Sequence, residues 1–535
     1  MRHSGIGVKH VLNAHMRPLV LLALPLWLVA CGPDSSTRPE AKVPGSKIKK
    51  MIMGDSIAEL QSAMNRGEIS AESLTRYLLD QIEVHNEELR AVIRINPEAL
   101  DVARALDVER ASGNIRGPLQ GIPILIKDNI ETREMPTTAG SLALKDNYTG
   151  RDATVVARLR AAGAIILGKT NLSEWANFRS ERSSSGWSAI GGQTRNPHDK
   201  SRSPCGSSSG SGSAVAAGLV VAALGTETDG SVVCPATVNG VVGIKPTVGL
   251  VSRTGIVPIS HTQDTAGPMT RNVSDAALLL SIMAGSDPTD AATQTDHTEP
   301  EPGYSSALDE KALQGKRLGV LRSSAGFHEG VDAVLEEAIK TLKQSGAIIV
   351  DDLKLEPYEK FFDDSYEVLL FEFKHNLNAY LAGLPNELNT LTLEKLIQFN
   401  NEHSDDEMPY FQQEIFEKSQ SKESLTEEKY TSALSRIRKA ARTDGLDKLL
   451  REHQLDALIA PTGGAAWTID LINGDHGAGG FSSYPAVAGY PHVTVPAGKV
   501  HDLPIGLSFT GPAFSEAELI GMAFAFEQAA RGHEN

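Results

Sequence analysis

The chain has 535 residues, a formal net charge of −16, and 41% hydrophobic residues. That acidic balance speaks against nucleic acid as a partner and for a solvated acidic surface. With 48 glycines and 27 prolines it reads as a loop-rich globular chain, not a coiled coil or a disordered polymer. Its three cysteines form no Cys-x-x-Cys pair and there is no His-Glu-x-x-His, so neither a metal nor a cofactor is expected.

Arg2, Lys9 and Arg17 precede a 13-residue apolar run at 18–30, which is too short to span a bilayer. Residues 1–30 therefore read as a signal peptide, with Met16 an alternative start. Leu28-Val-Ala-Cys31 resembles a bacterial lipoprotein box, which implies cleavage before Cys31 and its lipidation. The implied location is the bacterial cell envelope, facing the periplasm and held to the membrane by the lipid, and Gly32 resembles outer-membrane sorting. Removing residues 1–30, with three basic and no acidic side chains, takes the charge from −16 to −19. Residues 31–50, rich in Pro and charge, read as a lipidated tether ahead of a folded body at 51–535.

Asp55 is placed to cap a short helix that Gly67 ends, and Ser70 to open a second with Leu74, Leu78 and Ile82 on one face. Ile122-Pro-Ile-Leu-Ile126 reads as a buried strand that delivers Lys127 at its end. On spacing alone such a lysine snorkels to solvent; its other course is to lose its proton. A helical pattern at 152–162 leads into a strand at 163–168, and this alternation predicts an α/β fold: a mixed sheet covered by helices on both faces. Lys169 follows as a rival to Lys127. In the turn cluster Gly191-Gly-Gln-Thr-Arg-Asn-Pro197, Gln193 is either substrate-lining or simple turn chemistry.

Two Gly/Ser-rich turns dominate the chain: Pro204-Cys-Gly-Ser-Ser-Ser-Gly-Ser-Gly-Ser213 and Gly225-Thr-Glu-Thr-Asp-Gly-Ser-Val-Val-Cys-Pro235. The apolar run 214–224 between them reads as a helix buried on all sides. Glycines flanking hydroxyls let the backbone approach a ligand closely, the architecture of a nucleophile. A flexible linker would not lead into a buried run, and a phosphate cradle would need Gly-Lys-Ser or Gly-Lys-Thr. Cys205 and Cys234, one in each turn, read as buried free thiols, with a disulfide as the alternative.

These turns, with Gly121-Ile-Pro-Ile-Leu-Ile-Lys-Asp-Asn-Ile130 upstream, resemble the amidase signature family, hydrolases with a Ser-cisSer-Lys triad. The resemblance implies that Ser231 is the nucleophile, Ser207 the bridging serine in a cis peptide and Lys127 the base. It places oxyanion donors on the backbone of Thr228, Asp229, Gly230 and Ser231, and Ser208 is counted with them at the substrate. Within the family the second turn looks most like peptide amidases. Val232-Val-Cys-Pro departs from the Arg that the family commonly carries after the nucleophile, which removes a partner for an anionic substrate group.

The 285–445 region matches the family weakly. It reads as strands near 316–321 and 347–350 around a helix, then a helical cover over the pocket at 357–445. Strands at 455–462, 491–496 and 503–506 close the chain. His492 reads as a hydrogen-bonded core residue rather than a base. The expected function is release of ammonia from a carboxamide substrate, peptide or small molecule. The rivals are one chain of a glutamine-hydrolysing amidotransferase and a non-catalytic envelope lipoprotein.

Overall fold

The structure, a computed structural model, describes residues 45–297 and 299–532. The signal peptide, Cys31 and residues 31–44 of the tether lie outside the described residues. The tether ends earlier than its composition suggests: Gly45–Gly54 is a helix with Ile48, Met51 and Ile52 buried. Apolar residues three and four apart make a stripe that packs despite the intervening lysines. The following helix, Ile57–Asn65, is capped by Ser56 rather than Asp55, through reciprocal hydrogen bonds with Glu59. Ser70 caps helix Ala71–Leu89, as its spacing predicts.

Among the described residues one sheet of eleven strands organises the chain. In chain order they are β1 (Val92–Ile95), β2 (Pro123–Lys127), β3 (Ile165–Thr170), β4 (Ala222–Glu227), β5 (Val242–Lys245), β6 (Thr265–Thr270), β7 (Arg317–Leu321), β8 (Ile348–Leu353), β9 (Ala457–Pro461), β10 (His492–Val500) and β11 (Leu503–Thr510). Across the sheet they lie β1-β3-β2-β4-β6-β5-β10-β11-β9-β7-β8. β2 is parallel to β3 and β4, and β7 to β8 and β9, while the other pairs are antiparallel. The sheet is therefore mixed, with helices on both faces, the expected α/β architecture. Every residue of β2, β3 and β4 is buried, which is why these strands read as unbroken apolar runs rather than alternating ones.

The run 214–224 is not one helix. The helix is the Gly/Ser segment itself, Ser209–Ala216; Gly218, at φ +69°, follows it, and Ala222 begins β4. A short apolar run carries no period that separates a buried helix from a buried strand. Here the left-handed glycine decides.

Helices Phe361–Ala382, Leu393–Glu402, Glu414–Gln420 and Glu428–Ala441 form the expected cover. Phe373, Leu377 and Phe416 pack on Trp175 and Phe178, with Trp175 edge-on to Phe416 at 5.6 Å between centroids. Burying several such aromatic rings is worth several kcal/mol, at about 1.5–3 kcal/mol each. The cover is thus fixed over the 174–178 loop.

Candidate active site

Because β2 and β4 are parallel neighbours, both deliver their C-terminal ends to one edge of the sheet, where open α/β sheets form crevices. β2 ends on Lys127. β4 ends on Thr226 and Glu227 and runs into the turn 228–231.

Lys127 is completely buried. Its Nζ lies 2.7 Å from Ser207 Oγ, 2.8 Å from Thr226 Oγ1 and 3.3 Å from the Thr226 carbonyl oxygen, so its partners are hydroxyls and a carbonyl. Burial drives its pKa down to about 7, against the pull of the Glu227 and Asp264 charges. A neutral amine has two N–H donors and one lone pair. With Thr226 accepting the N–H groups, the lone pair is left for the Ser207 hydroxyl proton.

The backbone holds the two serines together. Gly206–Ser207 is a cis peptide bond, and the Ser207 carbonyl accepts from Ser173 N–H at 3.1 Å. A Cβ on Gly206 would collide with the side chains of Ser173 and Asn177, so a larger residue there has to displace them. The Ser231 carbonyl accepts from Ser208 N–H at 3.2 Å, joining the two turns. A disulfide between Cys205 and Cys234 joins them again, so the free-thiol expectation is corrected. The two turns fold back to 6.0 Å between these Cα atoms, inside bridging range.

The turn 228–231 is shaped by Glu227. Its Oε2 accepts from the N–H groups of Val232 and Val233 at 2.7 and 3.0 Å, and burial raises its pKa. Gly230 takes φ +77°. Among the described residues no acceptor takes the N–H groups of Thr228, Asp229, Gly230 or Ser231, leaving four backbone donors at one turn, the composition of an oxyanion site. The Asp229 carboxylate accepts from Ser482 Oγ at 2.6 Å, which holds the turn against helix Ser483–Ala488.

Other expected residues fall elsewhere. Ser208 Oγ donates to the Thr226 carbonyl and accepts from Thr226 N–H, both at 3.2 Å, a tie between helix and strand. Gln193 is not at the pocket wall; its Nε2 donates to the carbonyls of Ser185 and Thr194, each at 2.8 Å, so turn chemistry decides its place. Lys169 lies apart, 2.9 Å from Asp128 Oδ1 and donating to the Ile130 carbonyl at 2.8 Å. His492 is a core residue, as its place in a buried strand implies: its Nε2 meets Ser508 Oγ at 2.6 Å, and burial pushes its pKa down to about 3.

Two contributors escaped the sequence reading. Thr226 carries two of the three contacts to Lys127, and Asn129 Nδ2 donates to Thr226 Oγ1 at 2.9 Å. Both lie inside the motifs that carry the resemblance. The signal that marks Thr226 is a hydroxyl near the end of a buried strand next to the lysine strand. Over the turns opens a cavity of about 370 Å3 lined by Ser231, Gly206, Thr228 and Asp229, and by Ser185 and Leu369.

A buried amine lies against a serine hydroxyl, beside a turn of free backbone donors, on a mixed α/β sheet. The family model described as amidase matches residues 73–520, and the chain belongs to that family: it is an amide-hydrolysing enzyme. It is 42% identical to a probable amidase of Arabidopsis thaliana over 89% of this chain and 90% of that protein. It is 36% identical to a glutamyl-tRNA(Gln) amidotransferase chain of Moorella thermoacetica, over 89% and 96%. Among solved structures, native peptide amidase from Stenotrophomonas maltophilia superimposes with a TM-score of 0.85 at 48% identity, covering 89% of this chain and 97% of that one. A peptide amidase bound to the competitive inhibitor chymostatin gives 0.87 at 48% identity, over 89% and 98%.

Proposed function

We propose that the enzyme hydrolyses primary carboxamides, the C-terminal amides of peptides foremost, through an acyl-enzyme on Ser231. Lys127 takes the Ser231 proton by way of Ser207, and the N–H groups of residues 228–231 hold the oxyanion. Loss of one such donor typically costs about 100- to 1000-fold in rate. The observation that carries this reading is Lys127: fully buried, 2.7 Å from Ser207 Oγ and held by oxygens that leave its lone pair to a hydroxyl. The peptide preference is supported by the 48% identity to peptide amidases.

The test is ammonia release from a panel of peptide, aliphatic and aryl amides and glutamine, with Ser231→Ala alongside. The reading expects peptide amides to lead and Ser231→Ala to lose about 10^4-fold or more. Glutamine as best substrate favours the amidotransferase reading that the Moorella relative supports. Ammonia release from none of them, with Ser231→Ala changing nothing, favours the binding-lipoprotein reading.

We also propose that the enzyme is exported and lipid-anchored at Cys31. A disulfide between Cys205 and Cys234 suits an oxidising compartment. Metabolic labelling with a fatty acid, with Cys31→Ala as control, tests the anchor: an unlabelled parent refutes it.

A further inference from the structure

A second cavity, of about 360 Å3, lies beside the one that holds Ser231. The two share Ala176, Thr228 and Ile259 in their walls. They differ in the part of the site they border. The first reaches Ser231 and Gly206; the second reaches Thr226 and Asn129, the residues that hold and brace Lys127. Its lining is mixed: Ile256, Val257 and Pro258 form an apolar stretch, Arg253, Asp264 and Asp290 are charged, and Ala379 of helix Phe361–Ala382 stands exposed on it. Among the described residues no partner takes the buried Asn129 amide oxygen, an acceptor on this lining.

The direction of proton return gives this cavity a use. When an amide is cleaved, the departing nitrogen must gain a proton, and here the donor is Ser207, resupplied by Lys127. The amine therefore leaves on the side of the lysine and its braces. Ammonia needs almost none of the room found there.

We propose that the second cavity is a compartment for the leaving amine, and that this enzyme also cleaves N-substituted amides whose nitrogen carries a compact apolar group such as benzyl. The proposal rests on the Ser231–Ser207–Lys127 reading. Ser231 Oγ bonds to the carbonyl carbon while its proton passes through Ser207 to Lys127. The C–N bond then breaks with its electron pair on nitrogen, which takes a proton from Ser207 as Lys127 returns one. The amine departs into the compartment, and water, deprotonated by the same route, releases the acid from Ser231.

The experiment compares N-acetylphenylalanine amide with its N-benzyl counterpart, following ammonia and benzylamine, in the parent, Ala379→Trp, Asn376→Trp and Ser231→Ala. Positions 376 and 379 lie on the helix that walls the cavity, and a tryptophan at either fills it. The expected result is cleavage of both substrates by the parent. Each tryptophan variant then loses tenfold or more in kcat/KM on the benzylamide and less than twofold on the primary amide. A parent that leaves the benzylamide intact overturns the compartment, as do variants that slow both substrates equally or neither. If Ser231→Ala still cleaves the primary amide, the underlying triad reading is what fails.

Discussion

Two lysines on adjacent parallel strands, Lys127 at the end of β2 and Lys169 in β3, are both completely buried, and they have opposite surroundings. Lys169 lies 2.9 Å from the Asp128 carboxylate and also donates to the Ile130 carbonyl and the Thr137 hydroxyl. Among the described residues Lys127 meets two hydroxyls and one carbonyl. Burial lowers the pKa of both, and at Lys169 the Asp128 charge opposes it at contact distance. Burial alone does not make a base: a carboxylate partner works against the loss of the proton, whereas hydroxyl partners leave the lone pair of a neutral amine usable.

The widest break in this comparison comes from removing each amine. Lys127→Ala is expected to lose about 10^2- to 10^4-fold in kcat/KM and to remain folded, since no buried charge is stranded; circular dichroism and kinetics check both. Lys169→Ala strands the Asp128 carboxylate, which among the described residues keeps the hydrogen bonds from Thr138. It is expected to cost about 3–5 kcal/mol in denaturant unfolding. Equal melting of the two variants would erase the distinction.

Smaller changes sharpen it. Thr226→Val deletes a hydroxyl that Lys127 and Asn129 share and is expected to lower kcat about tenfold, the value of one lost hydrogen bond to the base, with KM nearly unchanged. Lys127→Met should raise the melting temperature by several degrees at pH 6 and by less at pH 10. The unfolded lysine keeps its proton up to about pH 10.4, whereas the folded one releases it above about 7. Between those values the unfolded chain binds more protons, so the penalty Lys127 imposes on the fold fades as pH rises through that window. Thermal melts at the two pH values check the sign.

Much of this was legible in the sequence because it rests on local, periodic signals. The apolar strand ending in Lys127, the paired Gly/Ser turns and the α/β alternation are all contiguous in the chain. What was not legible depends on meetings between distant segments. Gln193 belongs to the Ser185 turn because the chain folds back eight residues, and no spacing rule separates that from a pocket residue. The Cys205–Cys234 bridge follows from two turns converging across an intervening helix and strand. Ile48 looked like part of a tether because its helix packs on a later one, Ala71–Leu89, outside the local stretch. The run 214–224 misled for the opposite reason: full burial erased its period.

The central claim is that Lys127 is kept neutral at working pH and takes the proton. The most direct test is the pH dependence of kcat/KM on a peptide amide, for the parent and Lys127→Ala. The expected parent profile rises through an apparent pKa of about 7 as the amine loses its proton, and that rise is absent from the residual activity of the variant. A rise near 7 that survives in Lys127→Ala, or a parent profile flat from pH 5 to 9, would contradict the assignment.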